Sequence, residues 1–347
     1  RLVKAILEGM QEGVLAVSPQ GRITAANPAM LKLTDFQGDP VGRSPAELLR
    51  APGLLNAIEE AGAGKPVTAE VVVTHPHRRT LLVNATPLGR PGGILVVVHD
   101  TTEVHRLHRM RRDFVANVSH ELRNPIATIQ AAVETLSDMG GLLGSSGPDE
   151  DGKALIATIE RQTARMSAIV NDLLDLSRIE SGQLKLKPEE IDAGEFIEGI
   201  VNGFKERADA RGLRLRVDVE QDLATIFCDR TGLQTVLSNL LDNALKYTRE
   251  GDEINVHAMQ GNDGRAILEV ADSGPGIEPK HLPRLFERFY RVDKGRSRDV
   301  GGTGLGLAIV KHLCAAMGGS VSVNSRVGSG TAFRVVLPCR KQSEPNL

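Results

Sequence analysis

The richest chemistry in this 347-residue chain lies in one stretch, Phe114-Val115-Ala116-Asn117-Val118-Ser119-His120-Glu121-Leu122-Arg123-Asn124-Pro125. A neutral imidazole, with an unperturbed pKa of about 6.5, keeps a nitrogen lone pair at neutral pH. Such a nitrogen can attack phosphorus in line while a neighbouring carboxylate takes the other ring proton. Glu121 directly follows His120, and Asn124 is four residues on, which on a helix is the same face. Pro125 lacks the amide that would pair with the Glu121 carbonyl, so a kink is predicted just past the histidine. A histidine alone on such a helix is ordinarily a solvated surface residue, and a second set of residues makes this one a candidate.

That second set lies downstream. Asn239, Asn243 and Lys246 recur at spacings of four and three, one face of a helix, with Tyr247 next. Carboxamide oxygens are hard donors of the kind Mg²⁺ accepts alongside phosphate oxygens. Asp272 begins Asp-Ser-Gly-Pro-Gly-Ile, in which Gly274 and Gly276 would let a ring approach the backbone while the carboxylate accepts a hydrogen bond. Phe286-Glu287-Arg288-Phe289 follows, then Gly302-Thr303-Gly304-Leu305-Gly306-Leu307, then Gly328-Ser329-Gly330-Thr331. Amides at a glycine-lined helix start form an anion site. No Gly-Lys-Ser/Thr follows, so the glycine run is not a Walker loop, and no strand precedes it as a Rossmann fingerprint requires.

Three segments must position these residues. In the first, strands are predicted at Val14–Val17, Arg22–Ala26, Thr68–Val73, Thr80–Ala85 and Ile94–His99, with Asn27-Pro28 opening a helix. In the second, Val104, Leu107, Phe114 and Val118 follow a heptad broken by Arg111, and Leu155, Ile159, Met166, Ile169, Leu173, Leu176 and Ile179 make an amphipathic helix ended by Ser181-Gly182. Gly140 to Gly152 reads as the loop between them. Two antiparallel helices cannot enclose a core, whereas two copies can as a four-helix bundle, so a homodimer is expected. In the third, helices are predicted from Asp192 to about Arg211, from Asp229 through Tyr247 and from about Gly304 to Met317. Strands are expected near 213–219, 224–227, 253–260, 265–271, 319–325 and 330–337.

The stretch around His120 resembles the H box of histidine kinases. Asn239 to Tyr247 resembles their N box, and the four later motifs resemble, in order, the first glycine box, the F box, the second glycine box and the third. Gly13 to Thr34 resembles the opening of a PAS domain, and Asp100-Thr101-Thr102-Glu103 its exit into a signalling helix. The resemblance implies a multidomain α+β chain: an α/β PAS domain at 1–102, a dimerisation and phosphotransfer hairpin at 103–185, an α/β-sandwich ATPase domain shared with gyrase and Hsp90 at 186–340, and a tail at 341–347. It implies ATP and Mg²⁺ as cofactors, with autophosphorylation of His120, Glu121 as base, and transfer to an aspartate of a separate response regulator. Asn124 would position water for dephosphorylation of that regulator. Asn243 would be the main Mg²⁺ ligand with Asn239 supporting it, Lys246 would meet phosphate, Tyr247 the ribose or base, and Asp272 the adenine amino group. Gly274, Gly276, Ile277, Arg288, Phe289, Gly302, Thr303, Gly304, Leu305, Gly306 and Thr331 would complete the nucleotide contacts. Arg291, Lys294, Arg296 and Arg298 would lie in a lid over it.

Composition narrows the alternatives. Hydrophobic content of 41% and charged content of 25% are those of a globular protein, and a net charge of -2 gives no reason to expect nucleic acid. The three cysteines form no CxxC pair, which fits a reducing compartment, and none lies in the first segment, so a flavin-cysteine adduct there is ruled out. His75-Pro76-His77 reads as a loop tip, and His105 to Arg112 as a solvated basic face. No apolar run nears the roughly 18 residues of a membrane span. The chain opens with Arg1 inside what reads as a helix, so a continuation upstream is expected. The residues given would be cytoplasmic, with any anchor to a bacterial inner membrane lying in that continuation. Two other readings stay open. One is a hydrolytic ATPase of the gyrase or Hsp90 type, which keeps a glutamate base where Asn239 stands. The other is a module switched by ATP without phosphotransfer.

Overall fold

The computed structural model describes residues 2–74, 77–89, 92–140, 150–221, 223, 225–261, 263–292 and 302–339. Expectations for His75, Pro76, Lys294, Arg296, Arg298, most of the interhelical loop and the tail fall outside them. The chain forms two compact units, Arg1–Val115 and Ala116–Leu347.

In the first unit, α1 (Leu2–Gly9) precedes β1 (Gly13–Val17) and β2 (Ile23–Ala26). Short helices α2 (Pro28–Thr34), α3 (Pro45–Leu48) and α4 (Pro52–Gly62) lead to β3 (Val67–Val73), β4 (Arg79–Pro87) and β5 (Ile94–Asp100). The sheet order is β2-β1-β5-β4-β3, with antiparallel pairs throughout. Alternation puts Leu15 and Val17, Leu81, Val83 and Ala85, and Val96 and Val98 on one face, where they bury with Met30, Leu54 and Ile58 of the helices. Asn27 caps α2 by accepting from the Met30 amide (2.9 Å) and also accepts from Val14 (2.8 Å). Its amide nitrogen donates to the carbonyls of Leu7 (3.1 Å) and Glu12 (2.9 Å), so one buried side chain satisfies four backbone groups and ties α1 to the sheet. At the exit the Thr80 amide donates to the Thr102 hydroxyl (2.9 Å), and Arg79 pairs with Asp100 (3.3 Å).

Helix α5 (Thr102–Gly140) starts there and continues unbroken through Pro125 into the second unit. Its basic opening is partly paired, Arg106 with Glu103 (2.6 Å) and His105 with Glu70 (3.4 Å). Helix α6 (Glu150–Glu180) begins two residues before the expected end of the loop, with Gly152 buried inside it. Gly182, at φ 67°, follows its end. Within the second unit, α5 and α6 fully bury little: Pro125, Ala132, Gly152, Ile169 and Leu176. Ile126 and Val133 on α5 and Ile156, Val170 and Leu174 on α6 remain exposed.

The remainder is a two-layer α/β domain. Strand β6 (Pro188–Asp192), not foreseen from the polar sequence Pro-Glu-Glu-Ile-Asp, pairs with β8 (Thr225–Asp229). Helix α7 (Ala193–Asp209) is capped by Asp192, and α8 (Arg230–Tyr247) by Asp229, which accepts from the Gly232 amide (2.7 Å). Strands β7 (Arg214–Val219), β9 (Glu253–Gln260), β10 (Arg265–Asp272), β11 (Ser320–Arg326) and β12 (Gly330–Pro338) form a sheet in the order β11-β12-β10-β9-β7, parallel only between β7 and β9. Leu233, Val236, Leu237, Leu240, Leu241, Ala244 and Leu245 of α8 and Ala308, Ile309, Val310 and Leu313 of α9 (Gly306–Ala316) are buried in its core.

Candidate functional site

The buried apolar stripe of α8 fixes where its polar residues sit. Asn239, Asn243 and Lys246 fall just off that stripe and are half-buried, while Tyr247 at the helix end is exposed. The Asn239 amide nitrogen is committed to the Thr235 carbonyl (2.9 Å). Its oxygen faces the α-carbon of Gly306, where a side chain would collide with it. The second glycine box therefore lies on the asparagine face of α8, and at its other end Gly302 lies beside the Tyr247 hydroxyl.

The first glycine box closes the opposite wall. Asp272 ends β10 and accepts from the Gly274 amide (2.9 Å), which holds its carboxylate inward. Burial raises its pKa above the usual carboxylate value, opposed by backbone hydrogen bonds from Gly274 and Thr331. Gly274 packs on the backbone of Tyr247 and Thr248, at the end of α8. Gly276, at φ 69°, lies so close to the Arg326 carbonyl that no side chain fits. The third glycine box is bound to the first through Ser325, a residue with no motif to mark it. Its hydroxyl accepts from the Ile277 amide (2.8 Å), donates to the Gly330 carbonyl (2.8 Å) and meets the Thr331 hydroxyl (2.9 Å).

The F box joins the second glycine box directly. The Phe289 amide donates to the Gly304 carbonyl (2.8 Å), and Phe289 is held at φ 60°, a left-handed conformation costly for a bulky side chain. Phe286 packs edge-on against Phe333 of β12. The structure thus brings all five downstream motifs, sequence-distant by as much as 92 residues from Asn239 to Thr331, into contact with one another around a candidate nucleotide site.

His120 is elsewhere, exposed on α5, with Asn124 also exposed one turn on. Glu121 is paired with Arg165 of α6 (3.1 Å), whose buried Nε has no hydrogen-bond partner among the described residues. Sequence reading missed Arg165, since an arginine on an amphipathic helix carries no signal of its target. It also missed a set of α6 residues that touch the motifs. The Thr303 hydroxyl donates to Asp172 (2.7 Å), and Glu180 pairs with Arg288 and with His312 of α9 (3.3 Å). Burial raises the Asp172 carboxyl above its usual range, against the opposing Thr303 hydrogen bond and Lys246 charge, with the neighbouring Asp175 raising it further.

Comparison with known proteins matches this arrangement domain by domain. Residues 7–106 match a family model described as PAS fold, 110–182 one described as His Kinase A (phospho-acceptor) domain, and 228–341 one described as Histidine kinase-, DNA gyrase B-, and HSP90-like ATPase. The sensor protein SrrB of Staphylococcus aureus (strain MRSA252) is 33% identical over 343 residues, 96% of this chain and 55% of that protein. The alginate biosynthesis sensor protein KinB of Pseudomonas aeruginosa is 32% identical over 347 residues, 97% of this chain and 57% of its own. The chain therefore spans a little over half the length of these relatives. Among solved structures, the Acinetobacter baumannii histidine kinase AdeS superposes with a TM-score of 0.52 at 29% identity, covering 64% of this chain and 98% of that one. The histidine kinase ThkA, solved with the response regulator TrrA, shares the fold over 97% of this chain and 98% of its own, with a TM-score of 0.53 at 21% identity. With these three domains in this order, the chain belongs to the PAS-containing sensor histidine kinases.

Proposed function

We propose that the chain binds Mg·ATP in the cleft of the glycine boxes, transfers the γ-phosphoryl group to a ring nitrogen of His120, and passes it to an aspartate of a separate response regulator. The observation that carries this reading is the convergence of the five downstream motifs on one cleft, in a chain that presents an exposed histidine followed by a glutamate on a separate helix. Asp272 would read the adenine amino group, since its half-buried carboxylate only accepts. Asn243, with Asn239, would hold Mg²⁺ through carboxamide oxygens, and the ion would neutralise phosphate charge. The Asn239 oxygen is free for this because the amide nitrogen takes the Thr235 contact. Glu121 would take the second imidazole proton once released from Arg165. Asn124, on the His120 face, supports a phosphatase activity toward the regulator.

The domain division follows the same reading: PAS at 1–102, dimerisation and phosphotransfer at 103–185, catalysis at 186–340 and a tail at 341–347. The exposed apolar residues of α5 and α6 support a homodimer closing a four-helix bundle. ThkA was solved with a response regulator, which supports a regulator as partner here. Among the described residues no helix is long and apolar enough to cross a membrane. ATP as the phosphoryl donor would place these residues in the cytoplasm.

The test is incubation with radiolabelled Mg·ATP on wild type and His120→Gln. Label that is acid-labile, alkali-stable and lost in the variant is expected. Label that survives the substitution would refute His120 as acceptor. ATP hydrolysis without protein labelling would favour the gyrase-type reading, which Asn239 in place of a glutamate speaks against.

A further inference from the structure

One face of α6 is applied to the nucleotide cleft. Ile169, Asp172, Leu176 and Glu180 follow one another at three- and four-residue spacing, and Ile169 and Leu176 are fully buried where α6 packs on α9. The two acidic members of this row engage residues read above as nucleotide ligands. Asp172 accepts from the Thr303 hydroxyl at 2.7 Å and feels the positive charge of Lys246. Glu180 pairs with Arg288. A half-buried carboxylate bonded to a hydroxyl and within the field of an ammonium group stands where a phosphate oxygen would find favourable partners.

We propose that Asp172 is an internal anion that competes with the terminal phosphates of the nucleotide, so that α6 in this docked position weakens ATP binding. The proposal rests on the reading that the glycine boxes bind ATP. Two consequences follow from its chemistry. Competition with phosphate should grow with the number of phosphates, because the carboxylate binds Thr303 and lies in the field of Lys246, both read above as phosphate-side contacts, and makes no bond to Asp272, read as the base contact. It should also weaken whenever the docking weakens, since the ligand and the carboxylate cannot share one hydroxyl proton.

The experiment is calorimetric titration of the full chain with Mg·ATP, Mg·ADP and AMP, comparing wild type with Asp172→Ala and Glu180→Gln. Asp172→Ala is expected to bind ATP roughly tenfold tighter, with a smaller gain for ADP and none for AMP. Glu180→Gln releases Arg288 without removing the Asp172 charge, so it should shift ATP affinity in the same direction by less. Equal ATP affinity in wild type and Asp172→Ala would overturn the proposal, as would an equal gain for all three nucleotides. If no protein binds any nucleotide, the ATP reading itself fails, a result recognisable because wild type and variants would then be equally silent.

Discussion

Replacing Val170 and Leu174 of α6 with glutamine tests whether this helix pairs with a second copy. In the single chain, Val170 is 44% and Leu174 50% exposed, and they lie four residues apart on one side of the helix. Fully burying a valine or leucine is worth about 1.5–3 kcal/mol, so covering the remaining half of each contributes about 1 kcal/mol. A symmetric pair presents both residues from both copies, and the double variant therefore loses about 4 kcal/mol of association energy. At about 1.4 kcal/mol per decade, the dimer dissociation constant should rise roughly a thousandfold. Glutamine keeps helix propensity within a few tenths of a kcal/mol, so α6 itself should persist, which far-UV circular dichroism will show. Sedimentation equilibrium over a wide concentration range reads the dissociation constant directly. A variant that dimerises as tightly as wild type would refute the reasoning, and so would a wild type that is monomeric throughout.

Gly330→Ala should lower the melting temperature of the catalytic domain by several degrees. Gly330 sits at φ 97° with its α-carbon against the Asp272 carbonyl, and strain of this kind costs about 1–3 kcal/mol. Gly328→Ala, at φ 79° but facing open space, should cost less in the same scan. Burial pushes the Cys228 and Cys314 thiols up to about 12, so iodoacetamide should label them far more slowly in the folded chain than after denaturation. Rapid labelling of either in the native protein would contradict this burial. Burial also holds the His312 imidazole below its usual pKa, with Arg288 and Lys311 acting the same way and Glu180 opposing. A depressed histidine binds protons less readily folded than unfolded, so stability should fall as pH drops through about 6.5 and level off below the folded value. Scanning calorimetry across that range should show a shallower fall in His312→Gln. Asp172, shifted upward, acts in the opposite sense but only from its ordinary value of 3.8 upward to its raised one.

Local patterns made the elements readable. Asp192 and Asp229 announce the starts of α7 and α8 because a cap is a short-range interaction between a side chain and an amide three residues on. Strands β9 and β10 declare themselves by alternation, since each buries one face. Strand β6 stayed hidden because Pro-Glu-Glu-Ile-Asp buries only Ile191 and is held by pairing with β8, a long-range cause. The cleft motifs could be read for the same reason as the caps: glycine is required where backbone meets backbone, as at Gly276 and the Arg326 carbonyl. Ser325 could not, because its three contacts depend on which strands end together, and that is a property of the sheet order.

Helix α6 shows the limit most clearly, because one sequence carries apolar residues on two adjoining sides. At about 100° per residue, Ile169, Asp172, Leu176 and Glu180 define one side, which packs on the catalytic domain. Ile156, Val170 and Leu174 define another, exposed in the single chain, and Ile159, Met166 and Leu173 fall between the two. A helix with a single buried stripe reads as amphipathic, and its stripe predicts its partner; with apolar residues on adjoining sides, the pattern gives the helix and leaves the assignment of faces open. Chemistry separates them. The side left exposed, which would face a second copy in the proposed dimer, is aliphatic, whereas the side toward the catalytic domain carries its contacts to Thr303, Arg288 and His312 on two carboxylates. A partly exposed ion pair such as that of Glu180 with Arg288 contributes little net stability. A domain held on α6 in part by such replaceable polar contacts can leave it, as the proposed transfer to His120 would require.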